Sequence, residues 1–134
     1  MKKVSFLIIN LWVLLFLITN CKQITETISL PSNDKVILKL QQDPRFSQKW
    51  PPAMPLFIRI WKNETKIIKK VRYLYLEKPN LSYQELIRIL ATRFESDINY
   101  LNKKYPEYGE PFPELSLRLY FMALQQMVSE NKSR

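Results

Sequence analysis

The chain of 134 residues contains no histidine and only one cysteine, and these shortages exclude several classes of chemistry. Without histidine, the chain lacks the Ser-His-Asp and Cys-His catalytic arrangements and the usual ligand sets for zinc, copper and haem. A single cysteine, Cys21, leaves no partner for an internal disulfide. We therefore expect a protein that binds no metal and no other cofactor. Paired carboxylates can catalyse glycoside hydrolysis without histidine or cysteine, but Glu107, Glu110 and Glu114 are expected to be solvated loop residues, so we expect that the protein is not an enzyme.

Glycine is also nearly absent, and this bears on the fold. Tight β-hairpin turns favour glycine because they need positive φ angles, and Gly109 is the sole glycine of the chain. Nine prolines supply the chain breaks instead, while 46% apolar and 25% charged residues are typical of a globular domain. We therefore predict an all-α fold, a small bundle of three to four helices joined by proline-containing loops.

The N-terminus has the composition of an export signal. A positively charged start, MKK, precedes a nearly unbroken apolar run from Val4 to Thr19, interrupted by Ser5 and Asn10. This run is at or just below the length that spans a bilayer stably, so an uncleaved anchor helix remains the alternative to a cleaved signal peptide. A soluble-secretion site would need small residues in an A-x-A-like pattern, and none is present.

The end of the apolar run, Ile18-Thr19-Asn20-Cys21, resembles the lipobox of bacterial lipoproteins. That pattern has an aliphatic residue three positions before the cysteine, a small or β-branched residue two before it, and a small residue just before it. Ile18 and Thr19 match, and Asn20 departs from the usual Gly, Ala or Ser. The resemblance covers residues 1–21 only, and no family is recognised for the remainder of the chain.

The lipobox resemblance implies a location and a processing step. The Cys21 sulfur would be diacylated and the signal peptide removed before it, which anchors the mature protein in a membrane of the bacterial cell envelope. Lys22 stands where an aspartate would retain the protein in the inner membrane, so the outer membrane is favoured. We expect residues 1–20 to be a signal peptide, 21–31 a tether, and 32–134 a helical domain.

Apolar periodicity predicts two helices in the first half of this domain. The first lies within Ser32–Phe46 and is stopped by Pro44, and the stretch WPPAMP at 50–55 is expected to be an irregular connector. A second helix begins at Asn63, its predicted cap, and continues to Leu76. The alternative for 56–76 is a β-hairpin within an α+β fold, because its flanking runs are rich in β-branched and aromatic residues.

Two more helices are predicted in the second half. Ser82 and Glu85 match a capping box that opens a helix to about Lys104. The last helix begins at Pro113 or Glu114 and ends near Asn131. Apolar residues go most of the way round this last helix, which indicates that it is central to the bundle or covered by a partner.

Positive charge is concentrated in one part of the domain. Residues 34–78 contain eleven Lys and Arg against four Asp and Glu, whereas residues 79–134 contain seven of each kind. The second predicted helix places its lysines opposite its apolar stripe, and such a surface attracts anionic lipid head groups or cell-wall polymer. A solvated face that only aids solubility is the alternative. We define this basic face as Lys62, Lys66, Lys69, Lys70 and Arg72.

A second candidate contact surface is the loop at 105–112. Its aromatic residues Tyr105, Tyr108 and Phe112 could contact a protein or a sugar, or could pack against the helices. Nucleic acid is not expected as a partner, because the export signal removes the chain from the cytoplasm.

The expected function is therefore that of an exported, lipid-anchored envelope protein, a non-enzymatic binding or structural module. Its expected partners are the membrane, through the lipid anchor, and an anionic polymer or another envelope protein. The alternative is an inhibitor or immunity-type lipoprotein that binds a periplasmic protein.

Overall fold

A computed structural model describes residues 30–49 and 51–132, and throughout these ranges the fold is all-α, as predicted. No strand occurs in the described ranges, which excludes the hairpin alternative at 56–76. The predicted signal peptide, Cys21, Trp50 and nearly all of the predicted tether lie outside them. The described helices all belong to one compact unit.

Seven α-helices follow one another in the described residues. They are α1 (Asn33–Gln42), α2 (Pro44–Ser47), α3 (Met54–Asn63), α4 (Thr65–Glu77), α5 (Tyr83–Arg93), α6 (Glu95–Lys104) and α7 (Phe112–Lys132). A 3₁₀ turn, Pro51–Ala53, precedes α3. The segments outnumber the predicted helices for two reasons. The predicted helices at 32–46 and from Ser82 to about Lys104 are interrupted at Asp43 and Phe94, and α3 occupies a stretch in which no helix was predicted.

Two helix starts follow directly from local sequence: Ser32, Asn33 and Asp34 were all possible caps of the first helix, of which Ser32 is the cap, and the predicted capping box of Ser82 and Glu85 is confirmed. The Ser32 hydroxyl accepts a hydrogen bond from the Lys35 amide at 3.3 Å at the start of α1. At the start of α5, Ser82 and Glu85 form the complete capping box, with both bonds at 3.2 Å. Such caps satisfy backbone N–H groups that have no partner within the helix.

The connector and cap predictions between α2 and α4 are wrong in two places. The stretch expected to be irregular contains the 3₁₀ turn and the start of α3, where Pro55 lies in the first turn. A proline is tolerated there because the first amides of a helix have no intrahelical acceptor. Asn63 does not cap α4 but ends α3, and Glu64 occupies the N-cap position with φ −98° and ψ 60°.

Helix α7 is central to the bundle, as its apolar circumference predicted. It contacts α1, α3, α4, α5 and α6. The Trp61 indole of α3 donates to the Ser116 carbonyl of α7 at 2.9 Å, and its ring lies 5.7 Å from that of Phe57. The α7 side chains with no exposed surface are Ser116, Leu117, Tyr120, Phe121, Ala123 and Leu124.

Asp43 forms the junction between α1 and α2. Its carboxylate caps α2 through the Arg45 amide at 3.0 Å and accepts from the Arg45 guanidinium at 2.6 Å. Burial alone would raise the pKa of Asp43, but the hydrogen bonds from the Arg45 side chain and backbone outweigh it and leave the pKa lowered. The ionised form is therefore favoured in the folded chain.

Asp43→Asn is expected to destabilise the protein at pH 7 and not in strong acid. A lowered pKa in the folded state contributes stability above the ordinary aspartate pKa and loses it as the pH falls through the folded value. We expect a loss of about 1 kcal/mol at pH 7 that disappears near pH 2. Urea unfolding at both pH values measures it. The exposed Asp34→Asn is the control, and a loss that persists near pH 2 would contradict the ion-pair explanation.

Candidate binding surface

The structure divides the five residues of the basic face into two groups. Lys62, Lys66 and Lys69 are exposed, and among the described residues no carboxylate lies within ion-pair distance of them. Lys66 and Lys69 are three residues apart on α4 and therefore share one side of that helix, while Lys62 lies in the last turn of α3. These three unpaired lysines are the part of the basic face that is available to an external anion.

Exposed tyrosines accompany these lysines. Tyr73, one turn after Lys69 on α4, has 58% of its surface exposed, and the Lys69 ammonium lies 5.9 Å from its ring centroid. Tyr100 of α6 is 46% exposed, and its hydroxyl donates at 3.4 Å to Glu64, which lies between Lys62 and Lys66 in the sequence. Tyrosine combines an apolar ring with a polar hydroxyl, and it is enriched where proteins meet a membrane interface. The combination of lysine and tyrosine therefore suits a boundary that is anionic and partly apolar.

Lys70 has a partner inside the domain. Its ammonium lies 2.7 Å from an Asp97 carboxylate oxygen, donates to the Arg93 carbonyl at 3.0 Å, and sits 4.5 Å from the Phe94 ring centroid. These contacts join α4 to the break between α5 and α6. Lys70 is therefore a structural residue whose charge is largely compensated.

Arg72 is also engaged in the interior. Its guanidinium donates to the Tyr120 hydroxyl at 3.0 Å and to the Pro31 carbonyl at 2.8 Å. The Tyr120 hydroxyl donates to Asn33 at 2.7 Å, and the Asn33 amide donates to the Trp61 carbonyl at 3.2 Å. This polar chain connects α4, α7, α1 and α3. Burial raises the pKa of Tyr120, so its hydroxyl stays protonated as a donor at neutral pH.

Sequence reasoning missed a second polar cluster, at the break between α3 and α4. The buried Glu64 carboxylate lies 2.7 Å from the Lys104 ammonium and accepts from the Tyr105 hydroxyl at 3.0 Å. The hydrogen bond to Glu64, followed by that to Tyr100, raises the pKa of Lys104, which therefore stays charged at neutral pH. Burial and the Glu64 hydrogen bond raise the pKa of Tyr105. The cluster joins the end of α6 to the start of α4.

The predicted aromatic contact loop is mostly packed against the bundle. Tyr105 is buried, and Phe112 is half-buried with its ring 6.4 Å from that of Phe57. Tyr108 is the exposed member of the three, with 39% of its surface accessible. The loop is also held by Arg59, which lies 2.7 Å from Glu107. Tyr108 is thus the residue of this set that an external partner could reach without rearrangement.

Metal-binding clusters and membrane-spanning helices are both absent from the part of the chain that the structure describes. Within 30–49 and 51–132, no group of three or more His, Cys, Asp or Glu side chains is placed to hold a metal ion. None of the helices in these ranges is long and apolar enough to cross a membrane. Glu107 of the loop and Glu114 of the first turn of α7 pair with different arginines, Arg59 and Arg118.

Comparison with known proteins identifies no relative. No protein-family model matches the chain, and no curated protein or solved structure is significantly similar to it. A bundle architecture by itself is compatible with many functions. The charge, exposure and pairing of surface residues are therefore the observations from which a function can be argued.

Proposed function

We propose that the protein is an exported, lipid-anchored protein of the bacterial cell envelope, placed in the outer membrane, that acts as a non-enzymatic binding module. It contacts anionic lipid or cell-wall polymer through Lys62, Lys66 and Lys69. The observation that carries the proposal is the exposure of these three lysines without a carboxylate partner among the described residues. The lipobox-like sequence at Cys21 supports the anchor.

The strength of such a contact suits an anchored protein. A lysine near an anionic membrane surface contributes about 1 kcal/mol, so three give an interaction that is weak for a freely diffusing molecule. An acylated N-terminus would hold the domain near the envelope surfaces, which raises the effective concentration of any anionic group there. Weak, salt-sensitive contacts are then sufficient to orient the domain.

Reversing the charge of the three lysines tests the proposal. We expect Lys62→Glu/Lys66→Glu/Lys69→Glu to lower the affinity for anionic surfaces by about a hundredfold at low salt, from the loss of about 3 kcal/mol. The full chain is reconstituted in phosphatidylcholine vesicles and titrated with two fluorescent probes. These are phosphatidylglycerol vesicles, as anionic lipid, and polyphosphate, as a soluble anionic polymer. Binding of the unmodified chain should weaken as salt is raised.

The control variant carries the same change in net charge at other exposed positions. Lys35, Lys78 and Arg88 are exposed and lie outside the basic face, so Lys35→Glu/Lys78→Glu/Arg88→Glu should retain most of the affinity. Acidic residues in the first turn of a helix are compatible with its dipole, so Lys66→Glu should not disturb α4. Equal losses in both triple variants would show that only net charge matters and would overturn the proposal.

A further inference from the structure

A groove runs along one side of α7, away from the residues invoked above. Two cavities of about 400 and 560 Å³ open there, and they adjoin because Phe46, Met122 and Gln126 line both. The α7 residues on the floor recur at helical spacing, so one stripe of this helix faces the groove. This stripe consists of Leu115, Leu119, Met122, Gln126 and Ser129, and Gln125, Val128 and Lys132 line the larger cavity beside it.

The dimensions of the groove match a helix. From Leu115 to Ser129 the floor extends about 21 Å at the helical rise of 1.5 Å per residue, which corresponds to roughly four turns of a docked helix. One wall is formed by α2 through Phe46, and the other includes Asn80 and Tyr83 around the connection between α4 and α5. Asn80 and Tyr83 are exposed, so the groove is open to a partner along this wall.

The part of the floor that lines the smaller cavity is largely apolar and adaptable. Leu115 and Leu119 are buried in this part of the floor, Phe46 of the wall is buried beside them, and Met122 is half-buried between the two cavities. Methionine side chains rearrange easily and are common where helices dock into grooves. An apolar stripe on a partner helix would therefore find a complementary surface.

The charges of the groove indicate which kind of helix. Arg45, Lys49 and Lys132 line the two cavities, and neither cavity is lined by an aspartate or a glutamate. Arg45 pairs with Asp43 and Glu130 beside the groove, and Lys39 pairs with the same two carboxylates. Among the described residues, the lining of the two cavities therefore contributes positive charge and no negative charge, which favours carboxylates on the partner.

We propose that the groove binds an amphipathic helix of a partner protein whose apolar stripe is flanked by glutamates or aspartates. A second copy of the same chain is a poorer occupant, because a symmetric contact would bring the cationic groove against itself. This proposal does not need the binding by Lys62, Lys66 and Lys69, so either proposal can fail without the other. It adds a protein partner to the anionic surface proposed above.

Two synthetic peptides serve as probes. Both are 16-residue fluorescein-labelled amphipathic helices with the same leucine stripe, one flanked by glutamates and the other by lysines. The full chain is held in phosphatidylcholine nanodiscs, and fluorescence anisotropy is corrected with empty nanodiscs. We expect the acidic peptide to bind at least tenfold more tightly than the basic one. The preference should survive Lys62→Glu/Lys66→Glu/Lys69→Glu, which separates the groove from the basic face.

Charge reversal within the groove provides the decisive comparison. Lys49→Glu/Lys132→Glu should weaken the acidic peptide about tenfold, and Lys35→Glu/Arg88→Glu, with the same change in net charge outside the groove, should leave it unchanged. Met122→Glu, on the floor of the groove, should weaken the binding of both peptides. Equal affinity for the two peptides, or equal losses in the two double variants, would overturn the proposal. So would concentration-dependent self-association that Met122→Glu abolishes, since the occupant would then be a second copy.

Discussion

Replacing Trp61 by alanine is expected to lower the free energy of unfolding by about 3 to 5 kcal/mol. Trp61 is the largest of the fully buried side chains, and its indole donates to the Ser116 carbonyl of the central helix at 2.9 Å. The substitution removes packing against Phe57, leaves a cavity and breaks the bond between α3 and α7. A domain of this size has a total stability of about 5 to 15 kcal/mol, so the loss is a large share of it.

Two further variants separate the contributions of Trp61. Trp61→Phe keeps an aromatic ring and loses the indole donor, so it should cost less than the alanine variant. Leu38→Ala, at a side chain that is 51% exposed, should change stability by less than about 0.5 kcal/mol. Urea unfolding followed by circular dichroism measures all three. A loss below about 1 kcal/mol for Trp61→Ala would show that α3 does not pack on α7 as described.

The second large effect is expected at Cys21. Under the proposed lipid anchoring, the mature protein begins at Cys21 and is heavier than its residues alone by the mass of the acyl chains. Cys21→Ser removes the sulfur that carries them, so the variant should retain residues 1–20 and gain no acyl mass. Each buried methylene contributes about 0.8 kcal/mol to membrane affinity, which makes the anchor the strongest single interaction proposed here. Intact-mass spectrometry of the purified proteins measures both changes.

The residue before the cysteine offers a matched control. Asn20→Ala brings the sequence closer to the lipobox pattern, and we expect it to be processed at least as completely as the unmodified chain. Cleavage after residue 20 in the Cys21→Ser variant would contradict lipid-directed processing. An unmodified chain that keeps residues 1–20 would instead support the uncleaved anchor helix.

Local signals in the sequence predicted helix starts well. The capping box of Ser82 and Glu85 is formed by residues three apart, so its geometry depends little on the rest of the fold. Pro44 ended α1 for an equally local reason, since proline cannot continue a helix. The prolines at 51–55 led to the wrong prediction of an irregular connector. Proline breaks a helix in its interior but is favourable in its first turn, and the sequence alone does not say where the helix begins.

The interruption at Phe94 could not be predicted from its neighbours. No glycine or proline is near it, and apolar residues continue at helical spacing through it, at Leu86, Leu90, Phe94, Ile98 and Leu101. In the structure, Phe94 is buried and its ring lies beneath the Lys70 ammonium, which also donates a hydrogen bond to the Arg93 carbonyl. These contacts come from α4, more than twenty residues earlier, so the break is a property of the tertiary fold.

Long-range partners also explain why the basic face divides as it does. Periodicity placed the lysines of α4 opposite its apolar stripe, and Lys66 and Lys69 are indeed exposed. Arg72 is different because its acceptors, Pro31 and Tyr120, lie 41 and 48 residues away in the sequence. A wheel projection of one helix contains no information about such partners. For the same reason the burial of Glu64 could not be predicted, because its hydrogen-bond donor Tyr105 lies 41 residues away in the sequence.

The bond between Arg72 and Pro31 has a mechanical consequence. Pro31 precedes Ser32, the N-cap of α1. Its carbonyl accepts a hydrogen bond from the Arg72 guanidinium, which also donates to the Tyr120 hydroxyl of the central helix. A pulling force applied at the N-terminal side of the domain would thus be shared between α4 and α7 and would not simply separate α1 from its N-cap. In a protein fastened at Cys21, drag on a captured partner would therefore be carried by α4 and α7 as well as by α1.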